Sequence, residues 1–459
     1  MLKTNKKTFF RALLLLLTAT MLLSALALPG CKEEPTVIDE IFRGMEGSPH
    51  PAAETAAVQI DPESGKPVRP VEPIEPASSG AVSDVSSGAA SSDDVSSEVP
   101  AQPPRSASVL AVGDDLIHRG IYRNADINKG SMDDGKYDFK PIFSNLEADV
   151  KAADLAIINQ ETMFDPEKEP SNYPQFNTPS QIAQDLADVG FDVISLANNH
   201  MLDVGSNGLV RTIGVLDAVE GVTRVGAYTT KEDMDTVRTV EVNGIRIAIV
   251  AFTYGTNGLS PDKSKVTVPY LNEENVRSQM ALAKEAGEFV MVIVHWGKEN
   301  HTDISDEQKT YASLFVECGA DVIIGSHPHV IQTMEWLTAE DGRQVLCVYS
   351  LGNLVSMMDQ ENNMLGGVLR FDIRSDKGEH PYVTNVSFEP TVYFYRYSTG
   401  SNNWMENKIY YLKDFTDDLA SKHGVRNYGN SLKVDHMYKL AKKQIPAEFL
   451  PEYVTGYET

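Results

Sequence analysis

Two histidines separated by one proline, His327 and His329, follow a short apolar run at 320–324. The run is typical of a strand buried on both faces, and a Gly-Ser pair ends it before the first histidine. Pro328 fixes its own φ angle and favours an extended conformation for His327, so both imidazoles are held open at the strand end. Because imidazole is a common ligand for zinc-like ions, the motif predicts metal or phosphate chemistry. The alternative is a pair of surface histidines in a loop.

Ligand-type side chains also follow four other apolar runs, which we predict to be strands at 109–112, 153–158, 192–197 and 289–294. In open α/β sheets, sites assemble at the carboxyl edge of the strands. A mixed set of carboxylate, amide and imidazole ligands suits Zn, Mn or Fe, and two such ions can clamp a phosphate or amide oxygen. The sequence therefore predicts a centre for one or two divalent ions, built from His327, His329 and the residues that these strands deliver, which are Asp114, Glu161, Asn199, His200 and His295.

Each of these residues also has a purely structural interpretation. Asp114 and Asp115 can cap the start of a helix. Asn199 can satisfy a turn, because asparagine tolerates positive φ, and His200 can be a core histidine. Together these alternatives would require many ligand-type residues to fall at strand ends by chance, so we favour the metal centre.

The remaining pattern alternates strands with helices, which predicts an α/β layered domain. An Asn-Gly turn at 243–244 predicts a hairpin between strands at 237–242 and 245–252, and a further strand is predicted at 345–349. Amphipathic patterns predict helices at 181–189, 208–219, 273–286 and 306–317. Past residue 371 we predict strands at 381–397 and 407–412 and a helix at 432–444.

The bulk composition excludes some partners. The chain has 459 residues, a formal net charge of −25 and a pI near 4.8. These values argue against nucleic acid as a partner and against electrostatic docking on anionic lipid. Cys318 and Cys347 are interpreted as buried thiols, with a disulfide between them as the open alternative.

The first hundred residues predict targeting and tethering rather than a fold. Residues 1–31 combine a basic start with an apolar stretch that closes on Leu-Pro-Gly-Cys, which resembles a bacterial lipobox with Cys31 as the lipidated residue. A plain signal peptide or an uncleaved anchor is the alternative. Residues 32–106 are rich in Pro, Ser and Ala and are expected to be a disordered tether. Each interpretation places the rest of the chain outside the cytoplasm, attached to the membrane through the lipid anchor when Cys31 is modified.

Taken together, the motifs resemble the CapA family of capsule-synthesis proteins linked to poly-γ-glutamate. The likeness extends over roughly 109–371 and is carried by G-D-D at 113, N-Q-E at 159, S-L-A-N-N-H-M-L-D-V-G at 195, H-W-G at 295, G-S-H-P-H-V at 325 and Y-S-L-G-N at 349. The family resembles calcineurin-like metallophosphoesterases. The resemblance implies a four-layer α/β/β/α sandwich at 107–375, which an extension at 376–459 completes.

The resemblance also implies roles for individual residues. It implies metal ligation by Asp114, Glu161, Asn199, His295, His327 and His329, with Glu161 in the place of a bridging aspartate. It implies catalytic roles for Asp114 and for His200, the latter as the acid that protonates a leaving group. One ligand departs from the phosphoesterase pattern, because Leu116 stands where a histidine is usual; His118 is expected to substitute in part if the strand continues. Whether one or two ions bind therefore stays open.

Two functions follow from the resemblance. The first is a membrane-anchored, extracytoplasmic role in poly-γ-glutamate synthesis or export, with the anionic polymer and a polymer synthase complex as partners. The second is a metal-dependent hydrolase that acts on phosphoesters or on γ-glutamyl or peptidoglycan bonds. Asn159 and Asn353 are expected to bind substrate, and the cations expected to contact polymer are Arg119, Arg123 and Lys298.

Overall fold

The protein is described by a computed structural model for residues 104–127, 136–376, 379–397 and 405–458. The predicted signal segment with Cys31 and nearly all of the predicted tether lie outside these residues. In chain order the strands are β1 (Arg105–Asp115), β2 (Leu155–Gln160), β3 (Val193–Ser195), β4 (Thr223–Val225), β5 (Arg238–Val242), β6 (Ile245–Thr253), β7 (Phe289–His295), β8 (Val322–Ser326), β9 (Met334–Thr338), β10 (Gln344–Val348), β11 (Asn353–Val355), β12 (Leu365–Ser375), β13 (Tyr382–Tyr397) and β14 (Met405–Tyr411).

The helices connect these strands or cover them. They are α1 (Arg119–Ala125), α2 (Lys140–Phe143), α3 (Glu147–Ala152), α4 (Gln181–Val189), α5 (Gly205–Asp217), α6 (Lys231–Asp235), α7 (Glu273–Ala286), α8 (Asp306–Glu317), α9 (Asp417–Lys422), α10 (Val434–Gln444) and α11 (Glu452–Thr455). Among the described helices, none combines the length and apolar character needed to cross a membrane.

The described strands form two sheets. The first has the order β14-β13-β12-β1-β2-β3-β4, with β11 paired alongside β1, and the second has the order β5-β6-β7-β8-β10-β9. The neighbours β1, β2 and β3 are parallel, as are β6, β7 and β8. The carboxyl ends of each parallel group therefore lie side by side, which is what brings the predicted ligands together.

Alternating side chains show how the layers stack. In β6, Ile247 and Ile249 belong to the core shared with the first sheet, whereas Ala248 and Val250 belong to a second core. That second core contains Met280 of α7 and Phe315 of α8. Helices α4 and α5 contribute their apolar faces to the first core. The result is the predicted α/β/β/α sandwich, and the prediction of fold class is confirmed.

Local signals account for most element boundaries. The predicted helices at 181–189, 273–286 and 306–317 coincide with α4, α7 and α8. The side chain of Asn272 caps α7, and Ser305 forms a capping box with Gln308 at the start of α8. The hairpin between β5 and β6 is confirmed as well, because Asn243 and Gly244 both have positive φ, 49° and 78°.

The C-terminal residues extend the first sheet. Strands β13 and β14 confirm the predictions at 381–397 and 407–412, and they continue the sheet outward from β12 in antiparallel order. Helix α10 confirms the amphipathic helix, which begins at Val434 rather than at 432. Cys318 is half-buried and Cys347 is buried, and both are free thiols, so no disulfide joins them.

Candidate metal centre

Strands from both sheets deliver the predicted ligands to one place. Asp114 lies at the end of β1, Glu161 directly follows β2, and the Asn199-His200 pair lies in the loop after β3. His295 ends β7 in the second sheet. His327 and His329 follow β8, and all seven side chains are buried.

Two overlapping groups of side chains have ligand atoms within 4.8 Å of one another. One group contains Glu161, His327 and His329, and the other contains Asp114, Glu161 and His295. Glu161 belongs to both, so its carboxylate lies where it can serve two ions or either one.

The Glu161 carboxylate shows that these residues fit a cation. Both of its oxygens are buried, and neither accepts a hydrogen bond from any described residue. Its neighbours are Nε2 of His295 at 3.5 Å and Nε2 of His329 at 3.7 Å. Burial raises the pKa of this carboxyl well above its ordinary value. A buried carboxylate without a donor is costly unless a positive charge faces it, which a metal ion supplies.

Acceptor atoms also converge around His295. Its Nε2 lies 2.9 Å from Oδ1 of Asn199 and 3.1 Å from Nδ1 of His327. Its Nδ1 lies 2.9 Å from the Ser326 hydroxyl, which can hold the tautomer that leaves Nε2 free to bind a metal. Burial lowers the pKa of both His295 and His327 well below the ordinary value, so both rings are neutral, as ligation requires.

His329 differs from the other two imidazoles because carboxylates surround it. Its Nδ1 lies 3.3 Å from Oδ2 of Asp114 and 3.0 Å from Oδ1 of Asn353. Burial acts to lower the pKa of His329, but the charges of Glu161 and Asp114 outweigh burial and raise it to about 9. Without a metal ion, this ring therefore carries the proton that partly offsets the buried carboxylates.

The backbone at the His-Pro-His motif differs from the prediction. His327 has a φ of 99° and His329 a φ of 57°, so the prediction that His327 is extended is wrong. Such left-handed conformations cost about 1–3 kcal/mol for a non-glycine residue. They persist because the turn places the His327 N–H 3.2 Å from Oδ2 of Asp114, to which it donates, and brings both rings to the carboxylates. Tertiary contacts therefore override the local preference of the residue before proline.

A close approach of backbone explains the glycine of the first motif. Asp114 N donates to the Gly352 carbonyl at 3.0 Å. A Cβ atom on Gly113 would lie 1.8 Å from that carbonyl oxygen, so no larger residue fits without displacement. The G-D-D motif and the Y-S-L-G-N motif are thus two sides of one contact that fixes Asp114.

His200 lies beside the ligand groups and pairs with an acid. Its Nδ1 is 2.7 Å from Oδ2 of Asp203, which also accepts the N–H of Phe176. The Phe176 ring packs edge-on against the imidazole at 5.0 Å. Because a carboxylate only accepts, His200 donates through Nδ1 and its Nε2 is left for a proton transfer.

His118 is in neither ligand group. Strand β1 ends at Asp115, and His118 precedes the first residue of α1. Its Nδ1 lies 3.1 Å from the Leu116 carbonyl and 3.3 Å from the Met357 N–H, and burial lowers its pKa to about 4. Because β1 ends before His118, the condition under which His118 was expected to substitute for the histidine missing at Leu116 is not met.

The residues expected to bind substrate have different surroundings. Asn159 donates to Oδ1 of Asp114 at 2.7 Å, and Asn353 donates to the carbonyls of His329 and Asn363. Both amides therefore hold metal-ligand candidates. Arg119 begins α1 and Lys298 is exposed, and neither forms an ion pair with any described residue. Arg123 lies in the last turn of α1.

Sequence reasoning did not single out several residues that touch the centre. Asp203 lies three residues after His200, within the S-L-A-N-N-H-M-L-D-V-G motif. Asn257 accepts from the Asn199 amide at 3.2 Å, so it orients the oxygen of Asn199 toward His295. Tyr254 directly follows β6, and its ring contacts that of His327, with the centroids 4.4 Å apart and the planes inclined at 41°. The signal for Tyr254 was available, because it follows a parallel strand just as the ligands do.

A family model and two curated relatives show which protein family this chain is similar to. The family model described as "Bacterial capsule synthesis protein PGA_cap" matches residues 108–358. The PGA biosynthesis protein CapA of Bacillus subtilis (strain 168) is 30% identical over 231 residues, 47% of this chain and 56% of that protein. The capsule biosynthesis protein CapA of Bacillus anthracis is 34% identical over 175 residues, 37% of this chain and 41% of that protein. The chain thus spans about half the length of these curated relatives.

Two solved structures are among those similar to parts of this chain. The NAD nucleotidase (NadN) of Haemophilus influenzae is 15% identical with a TM-score of 0.41, covering 74% of this chain and 60% of that one. The calcineurin-like phosphoesterase YfkN of Bacillus subtilis is 14% identical with a TM-score of 0.37, and the match covers 63% of this chain and 91% of that chain. The family match extends over more than half of the chain and includes every candidate ligand, so the chain belongs to the bacterial capsule synthesis protein PGA_cap family.

Proposed function

We propose that this chain binds one or two divalent ions, Zn, Mn or Fe, and uses the centre on an anionic polymer such as poly-γ-glutamate during capsule synthesis or export. The observation that carries the proposal is the buried carboxylate of Glu161, which has no hydrogen-bond donor and lies among three imidazoles and Asp114. Ions would be held by the six candidate ligands Asp114, Glu161, Asn199, His295, His327 and His329.

The chemistry divides between the metal and the chain. A bound ion supplies the positive charge that offsets the carboxylates and polarises a phosphate, carboxylate or amide oxygen. The chain itself fixes the ligands, because Asn159 and the His327 N–H hold Asp114 and Asn353 holds His329. These hydrogen bonds favour a centre whose ligands are already in place before the metal ion binds.

The names of two relatives support the proposal that the substrate is an anionic polymer. Both are CapA proteins of capsule or PGA biosynthesis, although the match covers about half of each. A polyanion is repelled by a chain with a formal net charge of −25, so contact needs local positive charge. The metal centre and the cations Arg119, Arg123 and Lys298 are the proposed sources of that charge.

The proposed location is outside the cytoplasm. The sequence at 1–31 supports lipidation of Cys31, and residues 32–106 have the composition of a tether. A tethered domain would stay close to a polymer synthase complex in the same membrane. Replacing Cys31 with Ser should move the protein from the membrane fraction to the soluble extracellular fraction. Retention in the membrane would contradict the anchor.

A metal-dependent hydrolase is the second candidate. The His200–Asp203 pair favours it, because a buried imidazole oriented by a carboxylate is suited to donate a proton to a leaving group. Phosphoesters and γ-glutamyl or peptidoglycan bonds are the proposed substrate classes. The missing ligand at Leu116 supports a single resident ion rather than two.

The metal content of the purified protein tests the proposal. We would compare the wild type, His327→Ala and the control His436→Ala, which lies on α10 and belongs to neither ligand group. Zinc, manganese or iron near one or two equivalents in the wild type and the control, with a loss in His327→Ala, is the expected result. A folded wild type that takes up no metal after reconstitution would overturn the centre and the hydrolase, leaving a binding or assembly role.

A further inference from the structure

Tyr254 is placed at the opening of the metal centre by the strand that precedes it. It directly follows β6, which lies beside β7, and its backbone N–H donates to the carbonyl of His295 at 3.0 Å. This hydrogen bond fixes the position of Tyr254 relative to a candidate ligand. The position belongs to the same edge of the sheet that carries His295 and His327.

The ring of Tyr254 covers two of the imidazoles. Its centroid lies 4.4 Å from that of His327 and 6.3 Å from that of His295, and it is nearly parallel to the second ring, at 13°. The ring therefore lies against two of the candidate ligands.

Tyr254 is also open to solvent, unlike the groups that it covers. It is 38% exposed, whereas His295 and His327 are 0% and 2% exposed. A substrate that approaches the centre from solvent therefore meets Tyr254 before it meets the imidazoles. A rigid aromatic residue with a polar end is well suited to such a contact, because little rotamer freedom is lost when it binds.

The other neutral donors around the centre are already engaged. The amide of Asn159 donates to Asp114, that of Asn353 to the His329 carbonyl, and that of Asn199 to Asn257. An anionic substrate oxygen near Glu161 needs a donor in addition to the metal, because an unpaired anion beside a carboxylate is repelled. Tyr254 supplies a hydroxyl on an exposed side chain at this place.

We propose that Tyr254 is the substrate-contacting residue at the opening of the centre, where its hydroxyl donates a hydrogen bond to an anionic oxygen of the bound substrate. The oxygen belongs to a phosphate or to a carboxylate, which share this chemistry. The inference rests on the metal centre proposed above and adds the residue that recognises what the centre acts on.

The test compares the metal-loaded wild type with Tyr254→Phe, which keeps the ring and removes only the hydroxyl. Tyr397→Phe is the matched control, because Tyr397 is 39% exposed and lies at the end of β13, outside the centre. Bound metal is measured for each protein, and calorimetric titrations then measure the Kd of inorganic phosphate and of the dipeptide γ-glutamylglutamate. We expect equal metal content in all three proteins and a Kd at least tenfold higher in Tyr254→Phe, the factor for a lost hydrogen bond to a charged group.

The outcomes separate this inference from the function on which it rests. Weaker binding of phosphate alone identifies a phosphoryl group as the ligand, and weaker binding of the dipeptide alone identifies a carboxylate. An unchanged Kd in Tyr254→Phe, loss of metal from that variant, or a metal-loaded wild type that binds neither probe overturns the inference and leaves the metal centre standing. A wild type that holds no metal overturns both.

Discussion

Oε1 of Glu161 lies 3.5 Å from Nε2 of His295, and the carboxylate to which it belongs accepts no hydrogen bond from the described residues. An anion in such a place destabilises the fold until a cation arrives. The same side chain is therefore expected to strengthen metal binding and to weaken the metal-free protein. These two effects can be measured separately.

Glu161→Gln should lower metal content sharply and stabilise the metal-free protein by about 1–3 kcal/mol, because it removes a buried charge without changing shape. The folded pKa of Glu161 lies above the ordinary 4.5, so the folded state binds more protons. Metal-free wild type should therefore lose stability as pH rises above 4.5, and the variant should lose less. Urea unfolding in chelator across this pH range is the measurement. Glu220→Gln, at an exposed position, is the control, and equal slopes in all three proteins would contradict the expectation.

Asn353→Ala should lower metal affinity about 10–100-fold, the usual effect of removing a group that orients a ligand. Asn353 holds the His329 ring through Nδ1 at 3.0 Å. Competition with a chromogenic chelator gives the affinity, and Asn430→Ala, which removes an exposed amide contact to Asp359, controls for loss of an asparagine. Unchanged metal affinity with weaker binding of phosphate or dipeptide would favour the direct substrate role predicted from sequence.

His200→Gln should leave bound metal unchanged and reduce hydrolysis of 4-nitrophenyl phosphate by about 10²–10⁴-fold, the contribution of a positioned acid or base. His200 is in neither ligand group and is oriented by Asp203 at 2.7 Å. The measurement is steady-state hydrolysis by metal-loaded protein, with the exposed His301→Gln as control. Loss of metal would make His200 a ligand instead, and wild-type turnover in the variant would exclude it as the acid.

Gly113→Ala should destabilise the protein by about 1–3 kcal/mol and displace Asp114, because the added Cβ meets the Gly352 carbonyl. The control is Gly214→Ala in α5, where a Cβ meets no atom within 4 Å and where alanine should stabilise the helix by about 0.5–1 kcal/mol. Denaturant midpoints and bound metal are measured for both. A Gly113→Ala protein with unchanged stability and metal content would show that this contact does not hold Asp114.

His423, which belongs to neither ligand group, is expected to make the stability of the fold sensitive to acid. Burial lowers its pKa to about 4, and the neutral ring donates to the Tyr393 carbonyl while accepting from the Val425 N–H. The unfolded chain binds a proton that the folded chain does not, so stability should fall as pH drops from 6.5 to 4. His423→Gln should lose less stability over this window than the wild type, measured by urea unfolding in chelator. His436→Gln, which is partly exposed, should behave as the wild type does.

The element pattern and most of the ligand set could be predicted from sequence alone. Periodicity and capping residues such as Asn272 and Ser305 are local, so the bounds of α7 and α8 follow from neighbouring residues. The ligands can be predicted because they follow apolar runs, and parallel strands end at a common edge. Glu161 and His295 can each be singled out as candidate ligands in this way without knowing which strands pair.

The tertiary structure decided what those residues meet. Glu161 and His295 belong to different sheets, and only the packing of the two sheets against a shared apolar core brings the two side chains together. The positive φ of His327 runs against the local effect of Pro328 and exists because contacts with Asp114 stabilise it. Asn257 reaches the centre from a loop whose path no periodicity describes, since loop geometry depends on the surfaces that the loop joins.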